Sequence, residues 1–404
     1  MTSEELFSVF EQCKNLFFTK RRFKHGDVVK LLEGHSFEKE VVGQSFEGKD
    51  IFKVKLGHGK RHVLLWSQMH GNEATATMAI FDILGFFQKT DNAFTQQILS
   101  DLTLHFVPML NPDGAERFIR RTAQQIDMNR DAVALACPES KLLKKLQSEL
   151  KPEFSFNLHD QNVRYSAGQT RNQAAISFLA TAYNEATEWN ENRTKAMQVI
   201  CEMNACLSTI IPDKVGRFSD EFEPRAFGDN IQKWGSSLML IESGGYGNDL
   251  EKMYLRKLNF LIILKAFESI CSNKYESRVL SEYEDIPANE KCLFDLLIRN
   301  AEVEGVQMDI GINLDEVNTE HATSFEFMSV VEDMGDLSTF WGIQEIDAKG
   351  MKAEPLNRFL EKLTNYSRSI EAIGRLEFEK KANFALTQNG ILRHLIINGE
   401  QVPV

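Results

Sequence analysis

With 404 residues, 43% of them hydrophobic and 26% charged, the chain has an ordinary globular make-up and room for two domains rather than one. Its formal net charge of -12 excludes a general nucleic-acid binder, because phosphate contacts need clustered Lys and Arg. No run approaches eighteen apolar residues, which excludes a helical membrane span, and the six cysteines are scattered without a CxxC pair or metal spacing.

The first segment, MTSEELFSVFEQCKNLFFTKRRF, is acidic and amphipathic. It lacks the succession of basic region, apolar core and small-residue cleavage site that marks a secretory signal. With free or buried thiols, this sets a cytoplasmic location as the expectation. From about Phe37 to about Cys271 short apolar runs alternate with longer helical patterns. HVLLW (62–66) reads as a buried strand and Ala74 to Gln88 as a helix. LTLHFVPML (102–110) is a second strand, Glu139 to Leu150 a helix, and FSFNLH (154–159) a third strand. Lys195 to Ile210 reads as helix, SLMLIE (237–242) as a fourth strand, and Leu250 to Cys271 as a long helix. Buried strands separated by helices predict an α/β sheet covered on both faces.

After Ser272 the stretch SNKYESRVLSEYEDIPANEK reads as a polar connector. LFDLLIRNAEVEG, VQMDIGINL, SFEFMSVVED and ILRHLIINGEQV beyond it are β-rich, with one helical pattern near Glu354 to Ser369. The expected organisation is an α/β domain over residues 1–275 and a β-rich domain over 290–404.

Chemistry concentrates at strand ends. His70-Gly71-Asn72-Glu73 follows the first strand and opens a helix, so both side chains can converge on one ion. Taken alone, His-x-x-Glu recurs in many proteins. His159 ends its strand, where it could meet that pair across the sheet or serve as a hydrogen-bonded core histidine. Glu242 also closes an apolar strand, a costly place for a carboxylate without a partner or a task. Between them lie the turn Asn111-Pro112-Asp113-Gly114, then Arg120-Arg121-Thr122 and Asp127-Met128-Asn129-Arg130-Asp131. Arginines on such loops are either a solvated basic face or the groups that receive a substrate carboxylate and an oxyanion.

HGNE, NPDG, IDMNRD, the strand-ending NLH and the strand-ending IES occur in the order typical of carboxypeptidase A-like zinc metallopeptidases, and GQSFEGKDIFKVKLG resembles the family's first strands. The resemblance covers about Phe37 to Cys271. It implies an α/β fold with a mixed sheet of about eight strands flanked by helices. It also implies one Zn2+ held by His70, Glu73 and His159, and Glu242 as the general base that passes a proton to the leaving amine. Arg120 then matches the arginine that stabilises the oxyanion, with Arg121 a second choice. Asn129 and Arg130 match the pair that grips the substrate's terminal carboxylate.

Two stretches depart from the pattern, and one is the run His159-Asp160-Gln161-Asn162, more polar than the usual continuation. The family's carboxypeptidases place a tyrosine about twenty residues before the glutamate, whereas RFSDEFEPRAFGDN holds none and carries Arg217, Asp220, Arg225 and Asp229. The leading expectation is a zinc metallocarboxypeptidase acting on a peptide with a free C-terminal carboxylate. Next come an amidase resembling the succinylglutamate desuccinylase and aspartoacylase group, acting on acyl-amino acids, and a peptidoglycan-peptide amidase. From another class comes a peptide-binding module without catalysis. Neither nucleic acid nor membrane is an expected partner. In the second domain, LFDLLIRNAEVEG and the final FEKKANFALTQNGILRHLIINGEQV resemble the small β domain flanking amidohydrolase barrels, with an unrelated β-sandwich as the alternative.

Overall fold

The computed structural model describes residues 1–357, 359 and 375–402. The chain divides into two compact units, Met1–Val163 with Ala174–Asn289, and Arg164–Gln173 with Glu290–Val404. The short segment 164–173, inside the range expected for the α/β domain, groups with the second unit.

The first unit opens with helices α1 (Ser3–Cys13) and α2 (His25–Glu33), then strands β1 (Glu38–Gln44), β2 (Asp50–Leu56) and β3 (Arg61–Trp66). Helices α3 (Thr75–Lys89) and α4 (Ala93–Asp101) lead to β4 (Leu102–Val107). This strand is shorter than the apolar run LTLHFVPML suggests, because Pro108 has no N–H to offer a ladder. Next come α5 (Pro112–Arg117), α6 (Pro138–Leu150), β5 (Phe154–Asp160) and a two-residue β6 (Ser166–Ala167) that lies in the second unit. β7 (Ile176–Ala180), α7 (Glu191–Leu207), β8 (Val215–Arg217), α8 (Phe227–Lys233), β9 (Ser237–Ser243), α9 (Met253–Ser272) and α10 (Ser281–Glu284) complete the unit.

Eight of these strands form one mixed sheet in the order β1-β2-β4-β3-β5-β9-β7-β8. The inner four, β4, β3, β5 and β9, are mutually parallel, so their carboxyl ends share one edge. Parallel strands buried on both faces need apolar residues throughout, which is why HVLLW and SLMLIE read as continuous runs. On one face Phe106 and Phe156 meet Phe267 of α9 edge-on at 6.3 and 5.9 Å. On the other, Leu64, Trp66, Leu238 and Leu240 pack with Leu142, Leu143 and Leu146 of α6. Among the described residues no helix is long and apolar enough to cross a membrane.

β10 (Asn289–Glu290) precedes the second unit's sheet, built from β11 (Leu293–Val303), β12 (Val306–Asn318), β13 (Phe325–Gly335), β14 (Trp341–Asp347), β15 (Lys352–Pro355), β16 (Phe384–Gln388), β17 (Ile391–Ile397) and β18 (Glu400–Val402). Its order is β13-β12-β11-β15-β16-β17-β18, with β14 paired parallel to β11. Three hairpins turn through two residues of positive φ: Glu304-Gly305, Asn389-Gly390 and Asn398-Gly399. Such turns match the right-handed twist of the strands they join, and Gly at the second position takes that φ without strain. Leu296, Ile298, Ile310, Ile312, Val331, Phe384 and Ile396 form the unit's core. The helical pattern expected near Glu354 to Ser369 falls largely outside the described residues.

Candidate metal centre and active site

The shared edge of the parallel strands gathers the chemistry. After β3 the chain turns at Gln68, in the left-handed region at φ 46°, and His70 and Glu73 fall on the loop that enters α3. The Asn111-Pro112-Asp113-Gly114 turn after β4 holds that loop. Asn111 accepts from the Gly114 N–H at 2.9 Å and donates through Nδ2 to the Met69 carbonyl at 3.2 Å. A Cβ on Gly71 would lie 2.0 Å from the carbonyl carbon of Gly114, so only glycine allows the two loops to close on each other.

His159 and Glu242 are register partners on the neighbouring strands β5 and β9. Partners in register project to the same face, so both side chains point to one side of the edge. A slip of one residue would turn His159 away. The donor atoms of His70, Glu73 and His159 all lie within 4.8 Å of one another. Glu73 sits between the two rings, Oε1 2.8 Å from Nδ1 of His70 and Oε2 2.6 Å from Nδ1 of His159. All three residues are buried, with exposures of 1%, 6% and 2%. The other ring nitrogen of His70, Nε2, lies 3.0 Å from Oδ1 of Asp127. The second carboxylate oxygen of Asp127 accepts from Nε of Arg120 at 3.1 Å, and Nη1 of Arg120 reaches Oε1 of Glu73 at 3.1 Å.

The electrostatics follow from burial and crowding. Burial favours a protonated Glu73, but the charges of His70 and His159 beside it outweigh that and carry its carboxyl well below the usual value. Burial, then the charges of Glu73 and Asp160, push the Glu242 carboxyl well above its usual value, against Arg120 and Lys252. Oε2 of Glu242 and Oδ1 of Asp160 are buried with no hydrogen-bond partner among the described residues. Four carboxylates, Glu73, Asp127, Asp160 and Glu242, therefore crowd a site whose nearby fixed cations are Arg120, Lys252 and Arg21. Two imidazoles and a carboxylate are a ligand set of catalytic zinc, and a dication here would offset the surplus negative charge. The residues fit the metal.

Asn129 and Arg130 lie on the one-turn helix Met128–Arg130 that follows Asp127, whose Oδ1 accepts from the Asn129 N–H at 2.9 Å. Oδ1 of Asn129 accepts from the Phe227 N–H at 3.0 Å. Nε of Arg130 pairs with Oε2 of Glu223 at 3.0 Å, in the charged stretch that precedes α8. Glu223 is also gripped by Arg225 at 2.9 and 2.8 Å. Arg121 turns to the Gln125 carbonyl, 2.9 Å away, and among the described residues no hydrogen bond or ion pair joins it to the cluster. The structure thus gathers His70, Glu73, His159, Arg120 and Glu242 at one edge and ties Asn129 to it through Asp127, while Arg130 engages Glu223.

Two participants escape a reading of the sequence alone. Asp127 stands inside the IDMNRD motif, and its position two residues before Asn129 was the available signal. Glu223 has no local signal, since its partner lies 93 positions earlier in the chain.

Residues 29–197 match the family model described as zinc carboxypeptidase. Over 115 residues the chain is 34% identical to Carboxypeptidase Z of Gallus gallus, covering 22% of this chain and 17% of that protein. Over 111 residues it is 29% identical to Probable carboxypeptidase 2 of Arthroderma benhamiae, covering 28% and 20%. The chain therefore spans about a fifth of the length of these relatives. Among solved structures it resembles a metallo-carboxypeptidase from Burkholderia cenocepacia, with a TM-score of 0.51 at 13% identity over 63% of this chain and 70% of that one. It also resembles bovine thrombin-activatable fibrinolysis inhibitor, with a TM-score of 0.50 at 15% identity over 63% of this chain and 98% of that one. At these identities the structural likeness speaks for the fold. The family match, the curated relatives and the shared fold agree in direction: residues 29–197 resemble a zinc carboxypeptidase domain.

Proposed function

We propose that the chain is a zinc-dependent carboxypeptidase that releases the C-terminal residue of a peptide. The observation that carries this reading is the convergence of His70, Glu73 and His159 beside Glu242, whose buried Oε2 has no partner among the described residues. His70, Glu73 and His159 would hold zinc, which supplies Lewis acidity toward water and the scissile carbonyl when bound.

The chain's own residues divide the remaining work. Glu242 takes the proton of the attacking water and passes it to the leaving amine, a transfer its strand-end position and unpaired oxygen suit. Arg120, half-exposed beside Glu73, faces the oxygen on which negative charge develops. Asp127 fixes the ring of His70 and the guanidinium of Arg120 together, so ligand and oxyanion group share one anchor. Asn129 and Arg130 receive the terminal carboxylate once it competes with Glu223 for the guanidinium.

Metal content and hydrolysis, measured on the native protein and on Glu242→Gln, test the reading. The expected result is one zinc per chain in both, peptide hydrolysis by the native protein, and a loss of roughly 10²–10⁴-fold in the variant. Zinc with hydrolysis of acyl-amino acids or peptidoglycan peptides alone would replace the carboxypeptidase with an amidase. A chain that binds peptide ends and cleaves none would be a binding module.

A further inference from the structure

Lys252 stands just before α9 with φ 54°, a backbone conformation that suits glycine and strains a side-chain-bearing residue. Its side chain is nevertheless buried, 4% exposed overall. A lysine is an expensive choice at a strained and buried position unless the ammonium is needed there. The turn before it is locked, because the Asp249 carboxylate accepts from the N–H groups of Met253, Tyr254 and Leu255 at 2.8, 2.8 and 3.2 Å. The ammonium of Lys252 donates to the Ser243 carbonyl at 2.7 Å and lies 3.4 Å from Oδ2 of Asp160.

Those two acceptors decide what the lysine does. Ser243 follows Glu242, Asp160 follows His159, and the two are register partners at the ends of β9 and β5. One ammonium therefore spans the ends of the strands that carry a metal-ligand candidate and the candidate base. The span continues outward. Thr75 at the start of α3 donates to Oδ2 of Asp160 at 2.7 Å, and the Asp160 N–H points to Oε2 of Glu73 at 3.3 Å. On the other side Asn259 of α9 donates to Oγ of Ser243 at 2.8 Å. The ladder runs through these ends, and the Gln161 N–H donates to the same Ser243 carbonyl at 3.0 Å, so the ammonium adds a side-chain tie where the β5–β9 pairing closes.

We infer that Lys252 is a positioning residue, a brace that holds the ends of β5 and β9 together and so fixes Glu242 relative to the His70–Glu73–His159 cluster. The role of Glu242 in that statement rests on the carboxypeptidase reading, whereas the brace itself does not. A residue that holds the base without touching substrate affects turnover more than substrate binding.

The test uses the full zinc-loaded chain with Lys252→Met, Lys252→Gly, Asp160→Asn and the double variant Lys252→Met/Asp160→Asn. Lys252→Gly relieves the backbone strain while deleting the ammonium, so it separates a brace from a mere helix start. We expect zinc affinity within fivefold of native, KM within threefold, and kcat lowered roughly 30- to 100-fold in each single variant. The double variant should lose little more than either single one, as coupled residues do. Native kcat in Lys252→Gly overturns the proposal, as does parallel loss of zinc, fold and activity, or multiplying losses in the double variant. If the native chain binds zinc and hydrolyses none of the substrates, the carboxypeptidase reading fails, and the brace is judged from unfolding equilibria of the native chain, Lys252→Met, Asp160→Asn and their double variant. Coupling of fivefold or more between Lys252 and Asp160 sustains the brace, and additive effects overturn it.

Discussion

Deleting the Asp127 carboxylate isolates the group that orients His70 without removing any candidate ligand. Asp127 receives three contacts: His70 Nε2 at 3.0 Å, the Asn129 N–H at 2.9 Å and Arg120 Nε at 3.1 Å. Their losses in Asp127→Ala are unequal. Arg120 is 45% exposed, so its guanidinium rehydrates and gives up less than about 1 kcal/mol. His70 is buried and cannot replace its partner with bulk water, so its ring loses both orientation and basicity. Removing such a carboxylate behind a metal-bound histidine typically costs 10- to 100-fold in metal affinity, about 1.4–2.7 kcal/mol. In Asp127→Asn the amide oxygen can still accept from His70, but the amide N–H₂ then faces the Arg120 donor. We therefore expect zinc Kd to rise about tenfold in Asp127→Asn and nearer a hundredfold in Asp127→Ala. Competition against a chromophoric chelator at fixed pH and ionic strength reads this, with the apo-protein's unfolding midpoint as a check on folding. Both variants within threefold of native would refute the orienting role.

Three further outcomes follow from the same geometry. Glu223→Gln removes the internal carboxylate paired with Arg130, a half-exposed contact worth up to about 1 kcal/mol, so KM for a peptide should fall up to about fivefold at constant kcat, and a rise in KM would count against the competition. Asp82→Ala strands the buried guanidinium of Arg256, which the carboxylate holds through two 2.6 Å contacts, and urea unfolding should show a loss of about 3–5 kcal/mol in the first unit; a change under 1 kcal/mol would contradict it. Burial pushes the Asp229 carboxyl up to about 7 from an ordinary 3.8, so the folded protein keeps a proton that the unfolded chain releases. That contribution to stability is complete below about 3.8, fades as pH rises toward 7 and is absent above it, so Asp229→Asn should flatten the fall between pH 4 and 7; parallel stability curves for the two proteins would refute the shift.

Much of the site was legible because its residues break an otherwise uniform pattern. In HVLLW, FSFNLH and SLMLIE the apolar runs announce buried parallel strands, and a His or Glu at the end of such a run is chemically out of place there. Other elements gave less signal. β7 (Ile176–Ala180) and the three-residue β8 are short and lie among polar segments, so neither stood out, and the helix expected from Leu250 begins at Met253 because Asp249 caps it.

The sequence by itself determined which residues can ligate a metal, that they stand at or just after strand ends, and that an α/β domain precedes a β-rich one. Ligand chemistry and hydrophobic period are properties of residue type and local spacing, so a linear reading reaches them. Only the tertiary structure decided the order of the strands, the register that sets His159 beside Glu242, the Glu223–Arg130 pair and the bridge from Lys252 to Asp160. Each joins residues that are distant in sequence, 92 positions apart in the case of Lys252 and Asp160. Contacts of that kind form only when the packing of the whole sheet brings the strand ends together, and no local pattern in the chain encodes the meeting.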